Sequence, residues 1–486
     1  MGGHGENGAN AALRALLDEA EMSNTALASA VMAAGAREGI HLGTSSTTVR
    51  RMLDGSQPHW PTPRLVAAVL SHRLQREISV RECGFADCAP AGEDPYDGLR
   101  WSGTLEGAVR TVVELSGRDM RRRKLLLGSA FSVGAFAEPA LSALLVPPAQ
   151  STARAGGRRV GMAEVEILTE QIAHLSKLGG QYGSGRVREQ MVALLHREAN
   201  QLLNGTYSEK TGRALLSAVA RATYTAGWMS GDVGRYSLAQ RYHIQALDLA
   251  MRAGDQAFGA NILQEAGRLT VRLGENAPPG QDTTRHGRQA VALARAGLRI
   301  TQDSATPALA AKLHAVQARG FALLGDARET RHAVLAAQRA YESVSPDDAA
   351  ALYTVNGFGV DLGKCLSGIG DTEQALTFST MALDGCNPWA VRGRCVTQTD
   401  LALTHLHSRD LEQAAAFGRD ALRTAANLSS TITLERLRTL QRQVALLRSA
   451  SSQLLDLDER LTGFLTRTTH GRHDDTPHPG TPHDPW

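Results

Sequence analysis

The sequence predicts an all-α protein, built as a small helical head followed by a long helical-repeat body. Three observations carry that reading. Alanine and leucine dominate while aromatics are only 5%, and both dominant residues lose little side-chain entropy in a helix. Apolar residues recur at helical spacing from about Val160 to Phe464, without clear strand alternation. An aspartate followed three residues on by Glu or Gln returns at Asp326, Asp371 and Asp410. At 486 residues the chain exceeds one simple core, so two or more domains are expected.

Composition narrows the class. The hydrophobic share is 42% and the charged share 21%, ordinary for a folded soluble protein. A formal net charge of +3 says almost nothing about nucleic acid, so any basic patch must be local. Cys83, Cys88, Cys365, Cys386 and Cys395 form no Cys-x-x-Cys pair. They read as buried small hydrophobes in a reducing, cytoplasmic compartment. The opening MGGHGENGAN lacks the apolar core of a secretory signal. The expected divisions are a disordered arm (1–10), a head (11–85), a linker (86–118), an apolar helical connector (119–148), a repeat body (160–465) and a disordered tail (466–486).

In the head, Leu13, Leu16, Leu17 and Ala20 form one apolar stripe. Ser23 or Asn24 can cap a second helix carrying Leu27, Ala30 and Val31. After the connector Gly35–Gly43, Thr44 or Ser45 opens SSTTVRRMLDG. Val49, Met52 and Leu53 fall on its buried side, and Ser46, Thr47, Arg50, Arg51 and Asp54 on the other. Gly55 stops it as a left-handed cap. A further helix, Pro63–Arg76, carries Leu65, Val66, Val69 and Leu70. This is the order of a helix-turn-helix domain, whose recognition helix presents small polar groups first and arginines next. Between His41 and Arg81, Arg50, Arg51, Arg64, Arg73, Arg76 and Arg81 outweigh Asp54 and Glu77. The candidate DNA contacts are Ser45, Ser46, Thr47, Thr48, Arg50, Arg51 and Gln57. The alternative is a plain helical bundle with a solvated arginine face.

The run from Thr47 to Gly55, with the segment from Pro58 to Pro63, resembles the Cro/repressor-type head of an actinobacterial regulator family. In that family a Ser/Thr-rich recognition helix ends in Arg-x-Leu-x-Gly before a Pro-rich turn. Met52 stands where an aromatic is common. Members of about this length join the head to tetratricopeptide repeats, and some are Nsd-type negative regulators of sporulation and antibiotic production. The resemblance implies transcription regulation by DNA binding.

The body repeats one layout. Asp326, Asp371 and Asp410 can each cap a helix in a reciprocal capping box. Small residues follow at Thr330 and Ala337, Ala375 and Ala382, and Ala414 and Ala421, while Ala239 and Ala246 fit the same scheme. The pattern resembles the second helix of a tetratricopeptide repeat, although the steps are irregular. A divergent repeat is expected around Thr284 to Ile300. Stacked pairs make a groove suited to a peptide, small-molecule or protein ligand.

Other features point elsewhere. Arg121-Arg122-Arg123-Lys124 precedes an apolar run to Pro148, but Glu138 and Pro139 interrupt it, so a buried or interfacial helical connector is expected rather than a membrane span. GFGVDLGKC, from Gly357 to Cys365, has the wrong glycine spacing for a phosphate loop. Scattered carboxylates read as solvated or i,i+4-paired. No catalytic motif, metal site or cofactor is expected, and the chain does not read as an enzyme. The leading expectation is a cytoplasmic, homodimeric regulator bound to a DNA operator, with the leucines from Leu434 to Leu461 contributing to the dimer. The alternative is a tetratricopeptide interaction scaffold, possibly membrane-attached, without DNA binding.

Overall fold

The computed structural model describes residues 9–37, 42–58, 60–74, 76, 78–86, 98–120, 131–145, 151–277, 280–302, 305–345 and 353–470. The described residues are helical throughout, apart from turns and two isolated bridges, Arg154 to Tyr207 and Arg159 to Thr206. The head comprises α1 (Ala11–Glu19), α2 (Asn24–Arg37), α3 (Ser46–Leu53) and α4 (Thr62–Leu74). Its core is the one expected, with Leu13, Leu27, Val31, Val49, Met52, Leu65, Val66 and Leu70 buried together.

The body begins earlier than expected. The linker assigned to 86–118 contains α5 (Leu105–Met120), whose Ala108, Val112 and Leu115 are buried in the largest core. Backbone groups ahead of it are also held. Ser102 N–H donates to Asp248 (2.8 Å), and the Gln245 amide donates to the carbonyls of Gly98 and Arg100 (3.0 Å each). The apolar connector lies partly within α6 (Ala137–Leu145), where Ala140 and Ala143 are buried, and Phe136 is buried in the turn before it. Its basic run at 121–124 lies outside the described residues. Among the described residues no helix is long and apolar enough to cross a membrane.

Next come α7 (Met162–Tyr182), α8 (Arg188–Ala193) and α9 (Asn200–Leu203), the last two joined through a π-helical turn at Leu194–Ala199. The remaining helices pack in adjacent pairs. These are α10 (Glu209–Asp232) with α11 (Tyr236–Arg252), α12 (Gln256–Glu275) with α13 (Thr284–Thr301), and α14 (Pro307–Leu323) with α15 (Ala327–Glu342). They continue with α16 (Val355–Gly368) and α17 (Thr372–Asp384), α18 (Val391–His407) and α19 (Leu411–Ala425), and α20 (Thr431–Leu447) and α21 (Ser452–His470). The first helices of successive pairs from α12 to α20 touch one another, which makes the body an α-solenoid. The divergent repeat is α13, and the tail expectation is corrected at its start, because α21 runs to His470. Residues 471–486 lie outside the description.

The repeat turns share one geometry. Gly325, Gly370 and Arg409 all take positive φ, and the following N–H of Asp326, Asp371 and Asp410 returns to the carbonyls of Phe321, Leu366 and His405 (2.9–3.0 Å). That is a Schellman stop. Asp326 and Asp410 then cap the next helix through the N–H of Glu329 and Gln413. The full reciprocal box does not form, and Asp371 makes no cap bond to the backbone.

The small residues are at close contacts. Ala337, Ala375, Ala382, Ala414 and Ala421 are all fully buried. A Cβ on Gly359 would stand 2.8 Å from that of Ala382, so the glycine-rich stretch from Gly357 to Cys365 serves helix packing inside α16. Leucine at Ala382 or Ala421 should overpack these interfaces and cost about 1–3 kcal/mol. Thermal unfolding checks this, and unchanged midpoints in both variants would contradict the packing.

Two expectations about charge and leucine are corrected. Several carboxylates are ion-paired between helices rather than lying free in solvent. Arg319 bridges Glu275 (2.8 Å) and Asp361 (3.0 Å), tying α14 to α12 and α16. Asp400 takes Arg436 and Lys364, tying α18 to α20 and α16. Leu434, Leu437, Leu440, Leu454 and Leu461 are buried within the α20–α21 hairpin and its neighbours, so they are spent inside the solenoid. The segment that carries these leucines forms two helices, broken at Arg448–Ala450.

The array also closes on itself. Helices α7 and α10, at its start, touch α18 and α20 near its end. Asp232, fully buried at the end of α10, accepts from Ser184 N–H (2.9 Å), Arg392 Nε (2.5 Å) and the Ser430 hydroxyl (2.7 Å). Gly185 N–H donates to the Ser429 carbonyl, and Ser429 N–H to that of Tyr182 (2.9 Å each). Tyr236 donates its hydroxyl to Glu435 (2.7 Å). At Gly183, φ is +80° and a Cβ would stand 2.5 Å from the Ser429 carbonyl oxygen, so only glycine suits the junction.

Candidate nucleic-acid interface

Helix α3 is fixed at both ends. Ser45 Oγ accepts from Thr48 N–H (3.2 Å), and Thr48 Oγ1 accepts from Ser45 N–H (3.3 Å), a capping box with threonine in place of Glu or Gln. At the other end Gly55 has φ +93°, and Ser56 N–H returns to the Arg51 carbonyl (2.8 Å). Val49, Met52 and Leu53 anchor the inner face against α1 and α2, in the core of the head.

That anchoring leaves Ser46, Thr47, Arg50 and Arg51 exposed on the outer face. Neither arginine pairs with a carboxylate among the described residues. The basic excess around them is smaller than the sequence implies. Arg76 is met by Glu19 (3.0 Å) and Glu82 (3.5 Å), and Arg73 donates to the Ala20 carbonyl. Arg50 and Arg51 lie in the last turn of α3, where the helix dipole favours positive charge.

The seven expected contact residues divide into three groups. Ser46, Thr47, Arg50 and Arg51 share one open face. Ser45 and Thr48 are engaged with each other in the cap. Gln57 lies beyond the helix, and its side chain is bound in both directions to Ala86, accepting from the N–H (2.9 Å) and donating to the carbonyl (3.4 Å). It clasps the end of the head. Ser23 is the residue that caps α2.

Asn10, which the sequence placed in the disordered arm, belongs to the head. Its side chain caps α1 through Leu13 N–H (2.9 Å) and donates to the Cys83 carbonyl (2.9 Å), while its own N–H bonds Leu53 at the end of α3. The head is thus a unit closed from Asn10 to Ala86. Residues 13–86 match a family model described as the SP15 N-terminal domain, a span that coincides with this unit. No curated protein matches the chain.

Cys83, Cys365, Cys386 and Cys395 are free and buried. Burial pushes the thiols of Cys83 and Cys395 up to about 12, which leaves them inert as nucleophiles near neutrality.

Proposed function

We propose that the chain is a DNA-binding transcription regulator whose head reads an operator through α3 and whose closed helical body binds a peptide, small-molecule or protein ligand that adjusts DNA affinity. One observation carries this reading: α3 is locked by caps and core, yet presents Ser46, Thr47, Arg50 and Arg51 outward, with neither arginine paired to a carboxylate among the described residues. Short hydroxyl side chains reach phosphates or base edges, and arginine grips guanine or phosphate with two bonds. The sequence resemblance supports negative control of sporulation and antibiotic production, in the cytoplasm.

A single head makes few phosphate contacts, so two heads on a two-fold operator are part of the proposal. The body supplies the dimer contact. A fragment of residues 1–86 should therefore bind one operator weakly. Fusion to an unrelated dimeriser should restore much of the affinity through effective concentration. Binding curves for fragment, fusion and full chain at one salt concentration test this. A fragment that binds as tightly as the full chain would contradict dimerisation through the body.

A further inference from the structure

The outer face of α13 and the exposed side of α6 form a surface that neither the head nor the closure of the body uses. Arg285, Arg288, Arg295 and Arg299 are exposed on α13 and fall within one sector of the helix, at offsets of three, ten and fourteen residues from the first. None of the four forms an ion pair with a carboxylate among the described residues. Arg295 is positioned over the Phe321 ring, 5.9 Å from its centroid.

Helix α6 packs beside this stripe and carries Leu141, Leu144 and Leu145, which are 57%, 40% and 71% exposed. Between the two helices runs an open groove of about 870 Å³. Leu144 forms one wall, and Ala292, Arg295, Ala296 and Arg299 form the other. Apolar side chains left in water beside exposed arginines that pair with no carboxylate among the described residues are costly unless something covers them.

We propose that this groove docks an acidic, amphipathic helix of a partner protein. The charge pattern selects the occupant. Cations at helical repeat along some four turns complement carboxylates at the same period on a second helix. Leu144, Ala292, Ala296 and Leu298, which line the groove, accept its apolar residues, as in helix-in-groove recognition. Duplex DNA offers phosphates but nothing to cover Leu141, Leu144 and Leu145. A lipid surface is flat, whereas this site is a groove. The inference is independent of DNA binding by the head.

The test uses the full chain and a labelled synthetic 18-residue helix with leucines on one face flanked by glutamates. A peptide of the same composition without an amphipathic face is the control. Anisotropy titration should show saturable binding of the amphipathic peptide and at least about tenfold weaker binding of the control. The Arg295→Glu, Arg299→Glu double variant, altered only at exposed positions, should keep its circular dichroism and lose about tenfold or more in affinity. It should regain binding when the peptide's glutamates become lysines. Equal binding of both peptides, no binding, or no effect of charge reversal would overturn the proposal. So would a preference for phosphatidylserine vesicles or duplex DNA that the double variant abolishes.

Discussion

Replacing Asp232 by alanine should open the closed body and cost about 3–5 kcal/mol, the range for removing one partner of a buried ion pair. The carboxylate is fully buried and holds three groups from distant parts of the chain: Ser184 N–H, Arg392 and the Ser430 hydroxyl. Its loss leaves a guanidinium and an amide without their acceptor, and the helices themselves do not depend on it. The expected result is a lower melting temperature with retained helical circular dichroism and a larger radius of gyration by X-ray scattering. An unchanged melting temperature and radius would contradict the role assigned to this residue.

Acid should act in the same direction. Burial pushes the Asp232 pKa up, but Arg392, Ser184 N–H and Ser430 outweigh it and hold the carboxyl below its ordinary value. Burial likewise opposes ionisation of Glu275, yet Arg319 and Lys364 bring it down to about 2. Both folded values lie below the unfolded ones. Their contribution is therefore present above about pH 4.5 and is lost as pH falls through each folded value, about 2 for Glu275. In Asp232→Ala the part of this acid dependence due to Asp232 should be missing.

The sequence was most legible where structure is local. The buried and exposed sides of α3 follow from the spacing of Val49, Met52 and Leu53, and the stop at Gly55 from the left-handed cap. The alanines at Ala375, Ala382, Ala414 and Ala421 marked close helix contacts for the same reason. The closure of the body left no such mark. Arg392 and Ser430 lie 160 and 198 residues beyond Asp232, and an aspartate at a helix end reads as solvated. Helix α5 is legible within the segment assigned as linker, because Ala108, Val112 and Leu115 repeat at helical spacing. Gln57 is expected as a DNA contact because it follows α3, and its bonds to Ala86 depend on a chain reversal that no local pattern shows.

The second large effect concerns α3. Replacing Arg50 and Arg51 by alanine should leave the head folded, because both are exposed and neither joins the core. Each arginine that grips a base or phosphate is worth about 1–3 kcal/mol, so specific affinity should fall by at least about tenfold. The capping box and the Gly55 stop are untouched, so the loss should appear in binding and not in the melting curve. Genome-wide capture of DNA by the native chain and by this double variant tests the central claim most directly. Discrete enriched sites for the native chain that disappear in the variant are the expected result. No enrichment, or an enrichment profile that the variant leaves unchanged, would contradict the assignment of α3 as a recognition helix.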